Sequence, residues 1–320
     1  MCNVNKVNKR GIIGRLERLP SLDCESRDNF FNGIRGWHSR VVSPKSKKKF
    51  ERILRNNNLN PKDDLSLNKI LKLTKDDFLI NLESFIFLES KRRAHNNYRI
   101  EFEKKLELFL SEMEYYDRSK FGKIELDPNL QIPTYAKHEI HQQPGGYVGH
   151  PFSGHLYHYG TNAFYLARNI DNHQDQTHSK MSLQLPIPSD RKINRILDMG
   201  CGIGQLTIAL KERFSSAEVW GIDVAAPMLR YAHMRSVELN VDTNFSQQLA
   251  EKTKFPDNHF DVVTSYILHH EVPEDISIKI VNEAFRVLRP GGLFFPIDFL
   301  TGGRSPNNAW FTFKKWIDQN

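Results

Sequence analysis

The chain has 320 residues, 39% hydrophobic and 26% charged, enough to bury a core and to form two domains of roughly 100–200 residues each. No apolar run approaches the ~18 residues of a membrane helix. The polar first ten residues do not read as a secretory leader. Cys2, Cys24 and Cys201 are too scattered for a disulfide framework or a metal cluster, so the cytoplasm is the expected compartment. The net charge of +7 is uneven: residues 1–60 hold 14 Lys/Arg against 5 Asp/Glu, and the remainder is near −2.

Residues 1–60 are basic and Asn-rich, with Lys45, Lys47, Lys48 and Lys49 in a short run. They read as a partly flexible arm with one helix near residues 49–56. Such a run suits a nucleic acid or another acidic surface, or is simply solvated. Residues 61–143 form a helical N-terminal region. Thr74 and Asp77 open a helix in which Phe78, Leu82, Phe85 and Ile86 recur at helical spacing, and Phe102, Leu106, Phe109, Leu110 and Met113 mark a second. Both stripes predict a core seam. Residues 118–143 read as irregular.

Residues 144–185 are dense in aromatics and histidines and then turn polar, which predicts a lid followed by a linker. Tyr147, Phe152, Tyr157, Tyr159, Phe164 and Tyr165 are candidates to wall an apolar pocket, and His150, His155 and His158 to meet a substrate. Thr161 or Asn162 is the expected cap of a short helix reaching Ala167. No acidic residue has convincing spacing to make these histidines a metal site.

From about residue 186 to 320 strand and helix alternate: ILDMG, QLTIALKERF, EVWGIDV, PMLRYAHMRSVEL, a short strand near Asn244, FDVVTSYIL, ISIKIVNEAFRVL and GGLFFPIDF. Strands separated by helices of ~10–15 residues predict a doubly wound, mostly parallel α/β sheet.

The first of these strands runs into Asp198-Met199-Gly200-Cys201-Gly202-Ile203-Gly204. Glycines between a strand and a helix let a ligand approach the backbone, and the helix N-terminus favours an anionic group. The second strand ends at Asp223, about 20 residues on, where a carboxylate can accept from both hydroxyls of a ribose. A dinucleotide turn reads G-x-G-x-x-G, whereas this one reads G-x-G-x-G with an acid two positions before the first glycine. That turn, with FPDNHFDVVTSYILHH and EAFRVLRPGGLF downstream, resembles the class I S-adenosylmethionine-dependent methyltransferases of the small-molecule type, over roughly Ile196 to Phe299.

The resemblance implies a Rossmann-like fold and S-adenosylmethionine as cofactor. It implies cofactor contacts from Asp198, Gly200, Cys201, Gly202, Gly204 and Gln205 around the turn. It adds Asp223 and Val224 after the second strand, Ala250 and Glu251 after the third, and Ser265 on the fourth. Where many relatives carry an Asp for the adenine amino group, this chain has Leu249, so Gln248 or Glu251 must accept instead.

His269, His270 and Glu271 stand where the fourth strand ends, at the sheet edge where open α/β folds bind ligands. His270 is the expected base with Glu271 beside it, and His269 points to the other face. Tyr147, His155, Tyr157 and Tyr159 are the expected substrate contacts. The expected activity is methyl transfer to a small, partly hydrophobic metabolite. The alternatives are an RNA-modifying methyltransferase docking through the basic arm and a catalytically silent binding module. The oligomeric state is not legible. With no residues after the fifth strand and its helix for a closing hairpin, the sequence predicts five parallel strands in the order 3-2-1-4-5. It also predicts either a truncated sheet or a cover from residues 124–132 at the fifth strand's edge.

Overall fold

The structure is a computed structural model and describes residues 9–164, 173–298 and 308–319. A small antiparallel pair, β1 (Ile12–Ile13) and β2 (Leu16–Glu17), leads into helix α1 (Leu22–Trp37). One π-helical turn (His38–Val42) joins it to α2 (Ser43–Asn56). Helices α3 (Leu67–Thr74), α4 (Phe78–Glu103) and α5 (Leu106–Asp117) follow, then strand β3 (Lys123–Glu125) and two short 3-10 turns at Thr134–Ala136 and Ile140–Gln142. Helices α6 (Ser153–Phe164) and α7 (His173–Gln184) precede the sheet.

The sheet region alternates β4 (Arg195–Met199), α8 (Gln205–Arg213), β5 (Glu218–Asp223), α9 (Ala226–Glu238) and β6 (Asn244–Gln247). It continues with β7 (Phe260–Tyr266), α10 (Glu274–Val287) and β8 (Leu288–Ile297), and α11 (Ala309–Gln319) closes the described chain.

Six strands pair in the order β3-β6-β5-β4-β7-β8, all parallel. The last five give the expected 3-2-1-4-5 order. Residues 123–125 do extend the sheet, but beside β6, on the edge opposite β8. The expected cover for the fifth strand is therefore at the wrong edge. β8 pairs only with β7 among the described residues.

From residue 9 on, the expected arm packs into the fold as α1 and α2. Cys24 on α1 and Phe50 and Leu54 on α2 are buried, and α2, α3, α4 and α11 share a cluster with Ile70, Ile80, Phe313 and Ile317. Much of its charge, such as Lys45, Lys47, Lys48 and Arg52, lies on the outward faces, while Glu25, Arg35, His38 and Ser46 are buried; one apolar stripe per helix suffices to dock it. The expected seam on α4 is wrong in part, because Phe78 and Phe85 face solvent while Ile80 and Glu83 turn inward. The expected linker contains α7, whose Met181, with Leu185 just beyond it, packs against Leu206 and Leu210 of α8. Thr161 is no cap: it lies inside α6 and its Oγ1 donates to the His158 carbonyl. Asn162 and Phe164 have no described side chains, and Tyr165, Ala167 and Phe299 lie outside the described residues.

Candidate active site

A cavity of about 280 Å³ opens at the carboxyl ends of β4, β5 and β7, a volume near the lower end for small-molecule sites. Gly200, Gly202, Asp223 and Val224 form one wall, and Leu249, Ala250 and Glu251 the next. The glycine turn is built for close packing. Gly204 caps α8 at φ +72°, and a Cβ there would sit 2.8 Å from the Phe245 ring. Only glycine takes that conformation without cost.

Asp223 accepts from the Gly202 N–H at 2.9 Å and the Ala225 N–H at 2.9 Å. Burial nevertheless raises its pKa, against the pull of those backbone donors. The carboxylate thus sits at the cavity with no cation paired to it among the described residues. Ligand hydroxyls donating to it would offset that burial.

Five expected cofactor contacts do not reach the cavity. Asp198 is buried beneath the turn, accepts from Thr207 Oγ1 at 2.7 Å, and leaves Oδ1 unpartnered among the described residues. Burial, against the Thr207 bond and with Asp223 nearby, pushes its pKa up to about 7. Cys201 turns back toward β5, with its sulfur beside Gly221, and Gly204 is filled in by Phe245. Gln205 Nε2 donates to Asp175 at 2.6 Å. Ser265 is buried, with Oγ 3.4 Å from His269 Nε2. These residues shape the turn from behind.

Helix α6 sorts the expected substrate residues by face. Tyr157, Gly160 and Thr161 line the cavity. His155 and Tyr159, one turn apart, point the other way into the core with Phe102 and Tyr231. Two residues along a helix is a rotation of about 200°, so 155 and 157 cannot share a wall. Tyr159 Oη donates to the Glu17 carbonyl, and burial drives the His155 pKa down to about 3. Tyr147 joins Tyr157 at the cavity, edge to face, with ring centroids 5.4 Å apart.

At the end of β7, His270 and Glu271 line the cavity and His269 does not. His269 Nδ1 meets Ser277 Oγ at 2.9 Å. His270 is not placed as a free base. Its Nδ1 is 2.6 Å from Asp298 Oδ1 and its Nε2 is 3.2 Å from Glu271 Oε1. Burial lowers its pKa, but the hydrogen bonds to Asp298 and Glu271 outweigh this and carry it to about 9. Glu271 also meets His141 Nε2 at 3.1 Å; burial raises its pKa, yet the two histidines hold it down near 2. The result is an alternating chain, Asp298–His270–Glu271–His141.

The raised His270 pKa fixes a sign. Its stabilisation is complete below the ordinary histidine pKa and is lost as pH rises through about 9. His270→Ala should cost on the order of 2 kcal/mol at neutral pH. The deficit should shrink above pH 9, as read from melting temperatures across a pH series; a pH-independent deficit would remove the charged pairing.

Three residues escaped the sequence reading. Tyr135 Oη donates to Glu251 at 2.6 Å, and His141 and Tyr135 both stand on the cavity from the segment read as irregular. Nothing periodic marks them. Asp298 was findable, since it ends the fifth strand at the same ligand-binding edge as Asp223. Gln248 is already engaged: Nε2 donates to Ser246 Oγ and Oε1 accepts from the Lys254 N–H. Both Gln248 and Glu251 line the cavity, but with its amide so engaged Gln248 is the poorer adenine acceptor, and the Glu251 carboxylate is the better placed of the two.

The family described as "Methyltransferase domain" matches residues 196–292. A demethylmenaquinone methyltransferase of Thermus thermophilus is 37% identical over 105 residues, 33% of this chain and 47% of that protein. The ubiquinone/menaquinone biosynthesis C-methyltransferase UbiE of Rickettsia bellii is 38% identical over 112 residues, 33% of this chain and 44% of that one. The chain thus spans less than half the length of these curated relatives. Among solved structures, the YcgJ protein of Bacillus subtilis aligns at 25% identity with a TM-score of 0.37, over 44% of this chain and 57% of that one.

Proposed function

We propose that this chain, whose residues 196–292 are a class I S-adenosylmethionine-dependent methyltransferase domain, methylates a small acceptor with an apolar aromatic body and an acidic hydroxyl or enol. The observation that carries the proposal is one cavity with two unlike walls. One side presents the glycine turn and Asp223; the other presents Tyr147, Tyr157 and Val148, with His141 and Glu271 at its polar end. The similarity to a demethylmenaquinone methyltransferase and to a C-methyltransferase of ubiquinone/menaquinone biosynthesis favours a hydroquinone-like ring.

S-adenosylmethionine, when bound, supplies an electrophilic methyl group on a positively charged sulfur. Asp223 would take the ribose hydroxyls, and Gly200 and Gly202 would leave room beside the backbone. Glu251, steadied by Tyr135, would accept from the adenine amino group in place of the missing Asp. The aromatic wall holds the acceptor in line and keeps water out; such positioning alone is worth ~7–11 kcal/mol. His270 stays cationic between two carboxylates and keeps Glu271 ionised. His141, held against Glu271, is the group placed to receive the proton that the acceptor sheds, and general-base help of this kind adds ~10²–10⁴ in rate. The expected base thus moves from His270 to His141.

The test is transfer of labelled methyl from S-adenosylmethionine into a whole-cell extract, with separation of small molecules, RNA and protein and mass identification of the product. An aromatic or enolic product labelled on carbon or oxygen supports the reading. Label confined to RNA or protein refutes it.

A further inference from the structure

The chain's whole formal charge of +7 is matched by one stretch: residues 43–75, covering α2 and α3, carry +7 by themselves. On α2, Lys45, Lys48, Arg52 and Arg55 are exposed and recur every three or four residues. They lie on the side opposite Ser46, Phe50 and Leu54, which are buried. Arg55 pairs with Glu51, and Lys49 reaches Asp77. Lys45, Lys48 and Arg52 have no carboxylate partner among the described residues. The nearby acids are Glu51 on the helix, Asp63 and Asp64 in the following turn and Asp76 and Asp77 just before α4; with Glu83 on α4 counted as well, residues 43–85 still carry +4.

Beside this charge lies an apolar stripe. The contact from Lys49 to Asp77, at 3.2 Å, sets α2 against the start of α4. There Phe78 is 77% exposed and Phe85 62% exposed, with partly covered Leu82 between them. Seven residues is about two turns, so the two rings share one face about 10 Å apart. Lys72 and Lys75, both exposed, immediately precede them in the chain. This face lies outside the cavity: none of these residues lines it.

We infer that the outer face of α2, α3 and the first turns of α4 docks on an anionic lipid bilayer surface. Clustered lysines and arginines are drawn to anionic headgroups, and large apolar side chains on a convex helix face insert at the interface. A nucleic acid would match the charge, but an aliphatic Leu82 between two rings on a convex helix is a poor base-stacking platform. A bilayer takes both features at once. The inference does not depend on the methyl acceptor.

The test is co-sedimentation of the full chain with phosphatidylcholine vesicles, with and without phosphatidylserine. Binding should require phosphatidylserine and fall at high salt. Lys45→Glu/Lys48→Glu/Arg52→Glu should weaken it more than tenfold. Phe78→Ser/Phe85→Ser should weaken it similarly without changing the melting temperature much, because both rings face solvent. Absence of wild-type binding, or binding unchanged in both variants, overturns the inference. So does binding of single-stranded RNA with none to vesicles. A Phe78→Ser/Phe85→Ser variant that turns a dimer into a monomer yet binds vesicles as before also overturns it, and assigns the face to self-association.

Discussion

Asp223→Ala is expected to weaken S-adenosylmethionine binding by roughly 10- to 100-fold or more, from a loss of ~1.5–3 kcal/mol for each hydrogen bond to a charged group. The carboxylate is already aimed by the Gly202 and Ala225 N–H groups, so a ribose meets it without further ordering. It is half-buried at the cavity wall, so a ribose that covers it displaces the remaining water and strengthens the bonds it accepts. Its removal also leaves those two donors without their acceptor, so the variant's melting temperature must be read beside its affinity. Asp223→Asn keeps the shape and loses the charge, and should fall between wild type and alanine. Calorimetric titration decides it: unchanged affinity in a folded variant would mean that the ribose does not sit on Asp223.

The second large effect is on stability. Arg235 of α9 and Asp175 of α7 are both buried, with Arg235 Nη2 donating to Asp175 Oδ2 at 2.8 Å. Asp175 also accepts from Gln205 of α8, so it ties α7 to the helix that follows the glycine turn. Asp175→Ala leaves a buried guanidinium without its carboxylate, at a cost of about 3–5 kcal/mol, or a melting point lower by about 10 °C. Burial raises the Asp175 pKa, but Arg235 dominates and holds it well below the usual carboxylate range. The pair's contribution is therefore present above the ordinary carboxylate pKa and lost only as pH falls through the depressed one. The gap between wild type and variant should persist from neutral pH down to mild acid and close only in strong acid. Asp175→Ala/Arg235→Leu should recover part of the loss; no recovery would mean that packing of α7, not the charge pair, sets the cost.

What could be read in advance followed from local rules. Ile196, Leu197 and Met199 read as a buried strand because an apolar run this short ends in glycines, and the glycines that follow read as a turn. Asp223 was legible because the carboxyl end of a parallel strand is where ligands meet the sheet. The failures came from long-range choices that no local window holds. His155 and Tyr157 look alike in the chain, but α6 rotates one into the core and the other into the cavity. Phe78 carried the apolar signature of a core position, yet Ile80 and Glu83 took the inward face when α4 packed against α2 and α11. His270 looked like a base from its neighbours in sequence. The partner that makes it a cation, Asp298, is 28 residues away and meets it only because β7 and β8 pair in parallel.

The central claim is that the cavity between the glycine turn and the Tyr147–Tyr157 wall holds the methyl donor. A crystal structure with S-adenosylhomocysteine tests it most directly. The ribose hydroxyls should lie within hydrogen-bonding distance of Asp223, the adenine beside Ala250 and Glu251, and the sulfur turned toward Tyr157 and His141. A ligand bound elsewhere, or in the cavity with its ribose away from Asp223, would contradict the claim.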